Sequence, residues 1–333
     1  MRMKAFPAFT AQRSGNLSVV SIIVQRIATG LLTLWVVSLL IFASTEILPG
    51  DVASAILGQH RTPEAELALR HELGLDRPAP VRYVEWLSRF VQGDIGRSLI
   101  NKRDMGPEIR ERFGNTMFLA GIAACIAVPL SILFGLIAAV RQNGCFDRVI
   151  SMFTLFTVSV PEFFVGYVLI IVFAVKLGLV PSLSMVDSDM SLGARLQAVT
   201  LPVSTLVLVV LAHMMRQTRA AVIGVLSSPF IEMAILKGIP WWRIVLEHAL
   251  PNALAPIINV VAIALAWLIV GVVVVDIVFV YPGMGQLMVD AVSNRDIPVV
   301  QTCGLIFASV YVGFNMIADM LAVISNPRLR HPR

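Results

Sequence analysis

Of 333 residues, 57% are hydrophobic and only 14% charged, with a mean hydropathy of +0.82, whereas a soluble domain carries about 25% charged residues. That composition excludes an ordinary soluble protein and points to an all-α integral membrane protein whose constant neighbour is the lipid bilayer. The net charge of +5 does not indicate a nucleic-acid partner, because the cations are scattered between apolar runs and form no basic stripe. Cys125, Cys145 and Cys303 show no paired or metal-type spacing, so no redox role and no metal site is expected.

A helix needs about 20 mainly apolar residues to cross roughly 30 Å of hydrocarbon, since each backbone polar group must find its partner inside the segment. In chain order, runs free of charge lie between Arg26 and Glu46, Arg112 and Arg141, Arg195 and Arg216, Glu247 and Asp276, and Asp296 and Asp319. A run from Val149 to Val175 is interrupted only by Glu162, directly after Pro161, and completes a predicted set of six transmembrane helices. Lysine and arginine then give the orientation. Arg2, Lys4 and Arg13 in the first tail, Arg328, Arg330 and Arg333 in the last, and Arg141, Arg148, Arg216, Arg219, Lys237 and Arg243 between spans place both termini in the cytoplasm. The expected organisation is a cytoplasmic tail at 1–25, a first transmembrane helix at 26–48 and an external helical loop at 49–112. A five-helix core follows at 113–325, with a cytoplasmic loop at 228–251, then a tail at 326–333. The first tail lacks the small-residue pattern of a cleaved signal, so the first span is expected to stay in place.

Two amphipathic helices are expected in the external loop. Thr62-Pro63 is a capped start and Gly74 a stop, with Ala65, Leu69 and Leu73 on one face; from Pro80, Val81, Val84, Leu87 and Val91 share another. In the cytoplasmic loop, Ser228-Pro229 starts a helix, Glu232 falls in its first turn, and Gly238 suits a left-handed exit. Pro240 restarts a helix through Trp241, Arg243 and Val245 up to Pro251. The prediction is a helix, a glycine turn and a second helix, longer than a mere connector requires.

The residues Glu232-Met233-Ala234, Gly238 and His248-Ala249-Leu250-Pro251 resemble the cytoplasmic EAA loop of ABC importer permeases, with Met233 and His248 where an alanine and an isoleucine are usual. The histidine variant is similar to the peptide and nickel branch of that superfamily. So are "LPGDV" from Leu48, "LGLDRPAPVRYVEWL" from Leu73, "GDIGRSL" from Gly93, "YPGMGQL" from Tyr281, "RDIPVVQ" from Arg295 and "NPRLR" from Asn326. The resemblance implies a type I importer permease fold in a bacterial cytoplasmic (inner) membrane. It also implies a second homologous permease subunit, two cytoplasmic ABC ATPase subunits that use ATP and Mg, and a periplasmic or extracellular solute-binding protein. The cargo it implies is a dipeptide, oligopeptide, nickel complex, glutathione or related solute. This chain would bind no cofactor and catalyse nothing; it has no G-x-x-x-x-G-K-[ST] phosphate loop. Carried over residue by residue, the ATPase-coupling positions are Glu232, Ala234, Gly238, Trp241, Arg243, His248, Leu250 and Pro251; for Trp241 and Trp242, anchoring at the membrane surface is an equal alternative.

Ionisable groups inside spans are pathway candidates. Pro161 and Glu162 combine a kink with a carboxylate, and Asp276 lies near a span end, where snorkelling competes. The rival reading is an ion-coupled secondary transporter, which would rely on acids at midplane and usually on repeated halves; the sequence offers Glu162 alone and no evident repeat.

Overall fold

The computed structural model describes residues 19–47, 62–72, 74–187 and 189–325; Leu73, most of both tails and the motifs beginning at Leu48 and Asn326 lie outside them. Within these, the chain folds as α1 (Val19–Ile47), α2 (Pro63–Glu72), α3 (Ala79–Val91), α4 (Gly106–Val140), α5 (Cys145–Ser159) and α6 (Glu162–Leu169), which continues as a π-helical turn over Ile170–Lys176. Then come α7 (Leu192–Ala198), α8 (Thr200–Leu226), α9 (Pro229–Leu236), α10 (Trp241–Arg243), a π segment over Ile244–Ala249, α11 (Leu250–Phe279), α12 (Met284–Ser293) and α13 (Ile297–Ser325). Five helical stretches are long and apolar enough to cross a membrane, and α5 with α6 and its π turn passes the same test as a pair, bent by 102° at the break between them. The expected kink at Pro161 is therefore a break between two helices. Proline lacks the N–H that would continue the ladder, so α5 stops at Ser159 and a new helix starts at Glu162.

Helix boundaries differ from charge boundaries for a physical reason. Arg26 lies inside α1, Arg112 inside α4, and Arg216 and Arg219 inside α8, because long cationic side chains reach water while their backbone stays helical. Arg26 pairs with Asp319 of α13 at 2.7 Å, Arg82 with Glu46 at 2.6 Å, and Arg219 with Asp147 through two contacts of 2.5 and 2.8 Å.

The helices pack in the order α1, α13, α11, α8, α4, with α5 and α6 laid against α8. Leu119, Leu206, Met214, Leu268, Val272 and Phe279 lie at the buried centre. Lipid supplies no hydrophobic drive between spans, so close backbone approach does the work. α4 presents Ala123, Ala127, Ser131, Gly135 and Ala139, all buried. At Gly135 an added Cβ would stand 2.8 Å from Cβ of Thr218 and 2.9 Å from the Met215 carbonyl.

α2 begins as expected, with the Ala65 N–H donating to Oγ1 of Thr62 at 3.2 Å, and Gly74 takes φ +65°. α3 buries a different face from the expected one. Tyr83 and Trp86 pack on Phe42 of α1, and the Tyr83 and Ser38 hydroxyls meet at 2.8 Å. Val81, Val84 and Val91 stay exposed. Aromatic rings offer more contact area than valine, and they win the interface. Since Ser38 and Phe42 belong to the apolar run Ile23–Ile47, α3 lies at the depth of that run's far end.

Gly135→Val should lower stability by about 1–3 kcal/mol through overpacking at the α4–α8 crossing; a thermal unfolding midpoint in detergent equal to that of the parent would refute that crossing.

Candidate coupling segment and buried polar groups

The segment 228–251 folds as a rigid bracket. Pro229 supplies the preset φ of a first turn, while the Ser228 hydroxyl donates back to the Val225 carbonyl at 2.5 Å and leaves the first turn of α9 without a side-chain cap. Glu232 lies in that turn, where its charge suits the helix dipole. At the other end the Gly238 N–H donates to Ile235 at 2.9 Å and the Ile239 N–H to Ala234 at 3.3 Å. This pair of bonds is a Schellman closure, and it needs the φ of +75° that Gly238 adopts. Open space surrounds the site of a Gly238 Cβ, so within this chain the glycine answers to backbone conformation. The closure turns Ile239 onto a seam of Ile231, Ala234, Ile244 and Ala249.

Pro251 was expected to end the second bracket helix. Instead the helix runs unbroken from Trp241 to Phe279, with Pro251 at the second position of α11. The π segment Ile244–Ala249 absorbs the missing N–H by shifting to a wider hydrogen-bond spacing, a recognised device inside helices. Arg243 is held by Glu247 at 2.6 Å on the outer side, and the half-buried His248 gives its carbonyl to the Asn252 side chain at 2.6 Å. The bracket is thus one piece with a membrane span. Its outer face is apolar: Phe230, Met233, Ile235, Leu236, Trp242 and Leu246 are exposed.

The motif segments meet at the opposite end. The Tyr281 hydroxyl donates to the Asn115 carbonyl at 2.8 Å, the Asn115 amide donates to the Pro282 carbonyl at 2.9 Å, and Arg195 donates to Oδ1 of Asn115 at 2.7 Å. Burial pushes the Tyr281 phenol up to about 12, which keeps it a donor. The "GDIGRSL" and "RDIPVVQ" stretches are joined by Asp296, which accepts from the Ser98 hydroxyl and from the Leu99 N–H at 3.1 Å.

Likeness to known proteins bears on what this bundle is. The model of the binding-protein-dependent transport system inner membrane component matches residues 131–331, and that of its N-terminal part matches 19–120. The chain belongs to this permease family. It is 35% identical over 312 residues to a putative peptide transport system permease protein of Brucella abortus (strain 2308), covering 93% of this chain and 99% of that one. It is 32% identical over 309 residues to a probable peptide ABC transporter permease protein of Sinorhizobium fredii, with 93% and 99% covered. To the glutathione transport system permease protein GsiC of Escherichia coli (strain K12) it is 35% identical over 309 residues, with 93% and 98% covered. It is therefore a multi-pass permease subunit of an ABC importer in the cytoplasmic membrane, and the secondary-transporter reading is not favoured.

Within this permease the expected site residues fall into separate groups. Glu232, Gly238, Trp241 and Arg243 are exposed on the bracket, Ala234 and Leu250 are inside or beside its seam, and Pro251 sits at the joint. Glu162 opens α6 with Oε1 buried and without a hydrogen-bond partner. Asp276, expected at a water-reaching span end, is wholly buried. Its Oδ2 accepts from the Gly285 N–H at 3.0 Å, with a further backbone bond from Gln286, so it caps the first turn of α12. A Cβ on Gly285 would stand 2.9 Å from that oxygen. His213, at the centre of α8 and 6.3 Å from Trp267 ring to ring, escaped the sequence reading because only full charges were counted; any ionisable group in mid-span would have raised it.

Asp276→Ala should cost about 1–2 kcal/mol, the usual loss of a carboxylate cap, and Gly285→Ala should also destabilise; equal unfolding temperatures for parent and both variants would remove Asp276 from this role.

Proposed function

We propose that this permease is driven through its bracket by two cytoplasmic ATPase subunits, which consume ATP with Mg while this chain binds no cofactor and performs no chemistry. In this reading a second homologous permease subunit completes the pathway, and an external solute-binding protein delivers the solute. The bracket end of the bundle is then cytoplasmic, together with both termini. The observation that carries the reading is an apolar rim on a rigid lever: Leu236 on α9 is 74% exposed, and Trp242, on the helix continuous with α11, 62%. Contiguous exposed apolar surface marks a docking site, and a stiff helix passes displacement to the span without loss.

The residues divide by job. Glu232, Trp241 and Arg243 meet the ATPase, with Arg243 oriented by Glu247; Ala234 and Gly238 shape the turn; His248, Leu250 and Pro251 carry movement into α11. Pro161 and Glu162 lie on the pathway at the break of the bent span, where a buried carboxyl oxygen is left without a partner. Asp276 serves the pathway indirectly, by anchoring α12 behind it. The cargo is a peptide or a related small solute, as relatives named for peptide and for glutathione transport suggest.

Gly238→Val places a β-branched residue at positive φ, a strain of about 1–3 kcal/mol. In the reconstituted importer it should cut ATP-driven uptake at least about fivefold, the factor carried by a strain of about 1 kcal/mol (about 1.4 kcal/mol being tenfold), while insertion into the membrane stays normal. Undiminished uptake and ATPase association would count against the coupling assignment.

A further inference from the structure

We infer that a polar lane on α8 and α11 forms the bracket-side half of the pathway wall and holds a carboxylate of the translocated solute. The inference rests on the permease reading and names the chemistry of the path. In the far half of α8 the chain closes in on every side, with Leu201 to Val203 and Val209 to Ala212 buried. The helix then opens: His213, Arg216, Gln217, Ala220 and Gly224 are all exposed, at spacings that put them on one face. Trp267 of α11 lies beside His213 and is 38% exposed. Asn259, closer to the bracket on α11, is exposed as well.

Such a lane does not belong in hydrocarbon. An imidazole, a guanidinium and two amides facing lipid would each carry the penalty of an unsatisfied polar group. Among the described residues His213, Arg216, Gln217 and Asn259 have no side-chain hydrogen bond or ion pair. Asp147 on α5, which packs against α8, is already held at both oxygens by Arg219, and its side chain is only 5% exposed. A row of donors with a free cation and no anion of its own fits an arriving anion. The flat fork of Arg216 suits a carboxylate in two-point contact, His213 and Gln217 add donors within one helical turn, and the Trp267 ring offers an apolar wall for a neighbouring side chain.

The test uses the complete importer in inside-out membrane vesicles, with Cys125→Ser, Cys145→Ser and Cys303→Ala as a background that must retain uptake. Gln217→Cys is labelled in turn with an anionic sulfonatoethyl methanethiosulfonate, a cationic trimethylammonioethyl methanethiosulfonate and an apolar maleimide; Leu32→Cys, on the exposed face of α1, is the lipid-facing control. The expected result is labelling by both charged reagents, with the anion-to-cation rate ratio, normalised to that of a free thiol in solution, raised about 30-fold, the effect of one cation about 4 Å away in water on an attracted and a repelled charge. Adding Arg216→Gln should abolish the preference, and trialanine should slow labelling where trialanine amide does not. A normalised ratio no different from that of a free thiol with Arg216 intact, or no protection by trialanine, would overturn the carboxylate assignment. Labelling by the maleimide alone, as at the control, would mean that the lane faces lipid and Arg216 reaches headgroup phosphates. Exclusion of all three reagents would put the partner permease on the lane. Co-purification of ATPase subunits with each variant reads the coupling proposal separately.

Discussion

Hydrocarbon leaves no backbone polar group free to bond water, and this permease meets that constraint in three ways at four prolines of its membrane helices. Pro129 and Pro256 stay inside long helices, where packed neighbours tolerate the missing donor. At Pro251 the ladder widens into a π segment and carries on. At Pro161 it gives way, and the chain turns by 102° into a new helix. The first two solutions keep a span stiff and the third concentrates a bend at one place. Stiff where the bracket joins and bent where a carboxylate stands is the division that the proposed coupling and pathway roles call for.

The bracket gains its stiffness from the same economy of backbone bonds. Two N–H groups, those of Gly238 and Ile239, close the end of α9, and the closure turns Ile239 into the seam shared with Ile231, Ile244 and Ala249. Inner surface and turn therefore stabilise each other. What remains outside is an apolar rim that carries Glu232, Lys237 and one internally paired Arg243–Glu247 couple. An exposed ion pair of this kind adds little stability, so its value lies in holding the guanidinium in a fixed direction.

Much of this was legible in the sequence, and the limits are instructive. The spans followed from gaps between charges, and the bracket from Pro229, Gly238 and Pro240, since these residues act through their own backbone. What depended on a distant partner was not legible. Asp276 reads as a span-end acid until Gly285, beyond a turn, is found donating to it. The valines of α3 form a better stripe by spacing than Tyr83 and Trp86, and only the position of Phe42 reverses the choice. Arg216 looked like a loop cation because charge was taken to end a helix, although its long stem lets the helix continue. His213 is hidden for another reason: a neutral imidazole does not interrupt a run free of full charges.

The distribution of paired and unpaired cations then separates structure from transport. Arg26, Arg82 and Arg219 each hold a carboxylate on another element, and Arg195 holds Asn115 while lying 4.1 Å over the Phe118 ring. These cations tie helices together, and their charge is largely spent on the fold. Arg216 lies less than one helical turn from Arg219 on α8, yet it faces the open lane while Arg219 faces α5. A permease that needed Arg216 only for solubility at the bracket end could have placed it near Leu226. Its position beside His213, well before the helix ends, leaves a positive charge where the path must accept and release its solute. Water on the open side keeps that charge screened, so the contact it offers a carboxylate is weak enough to let go.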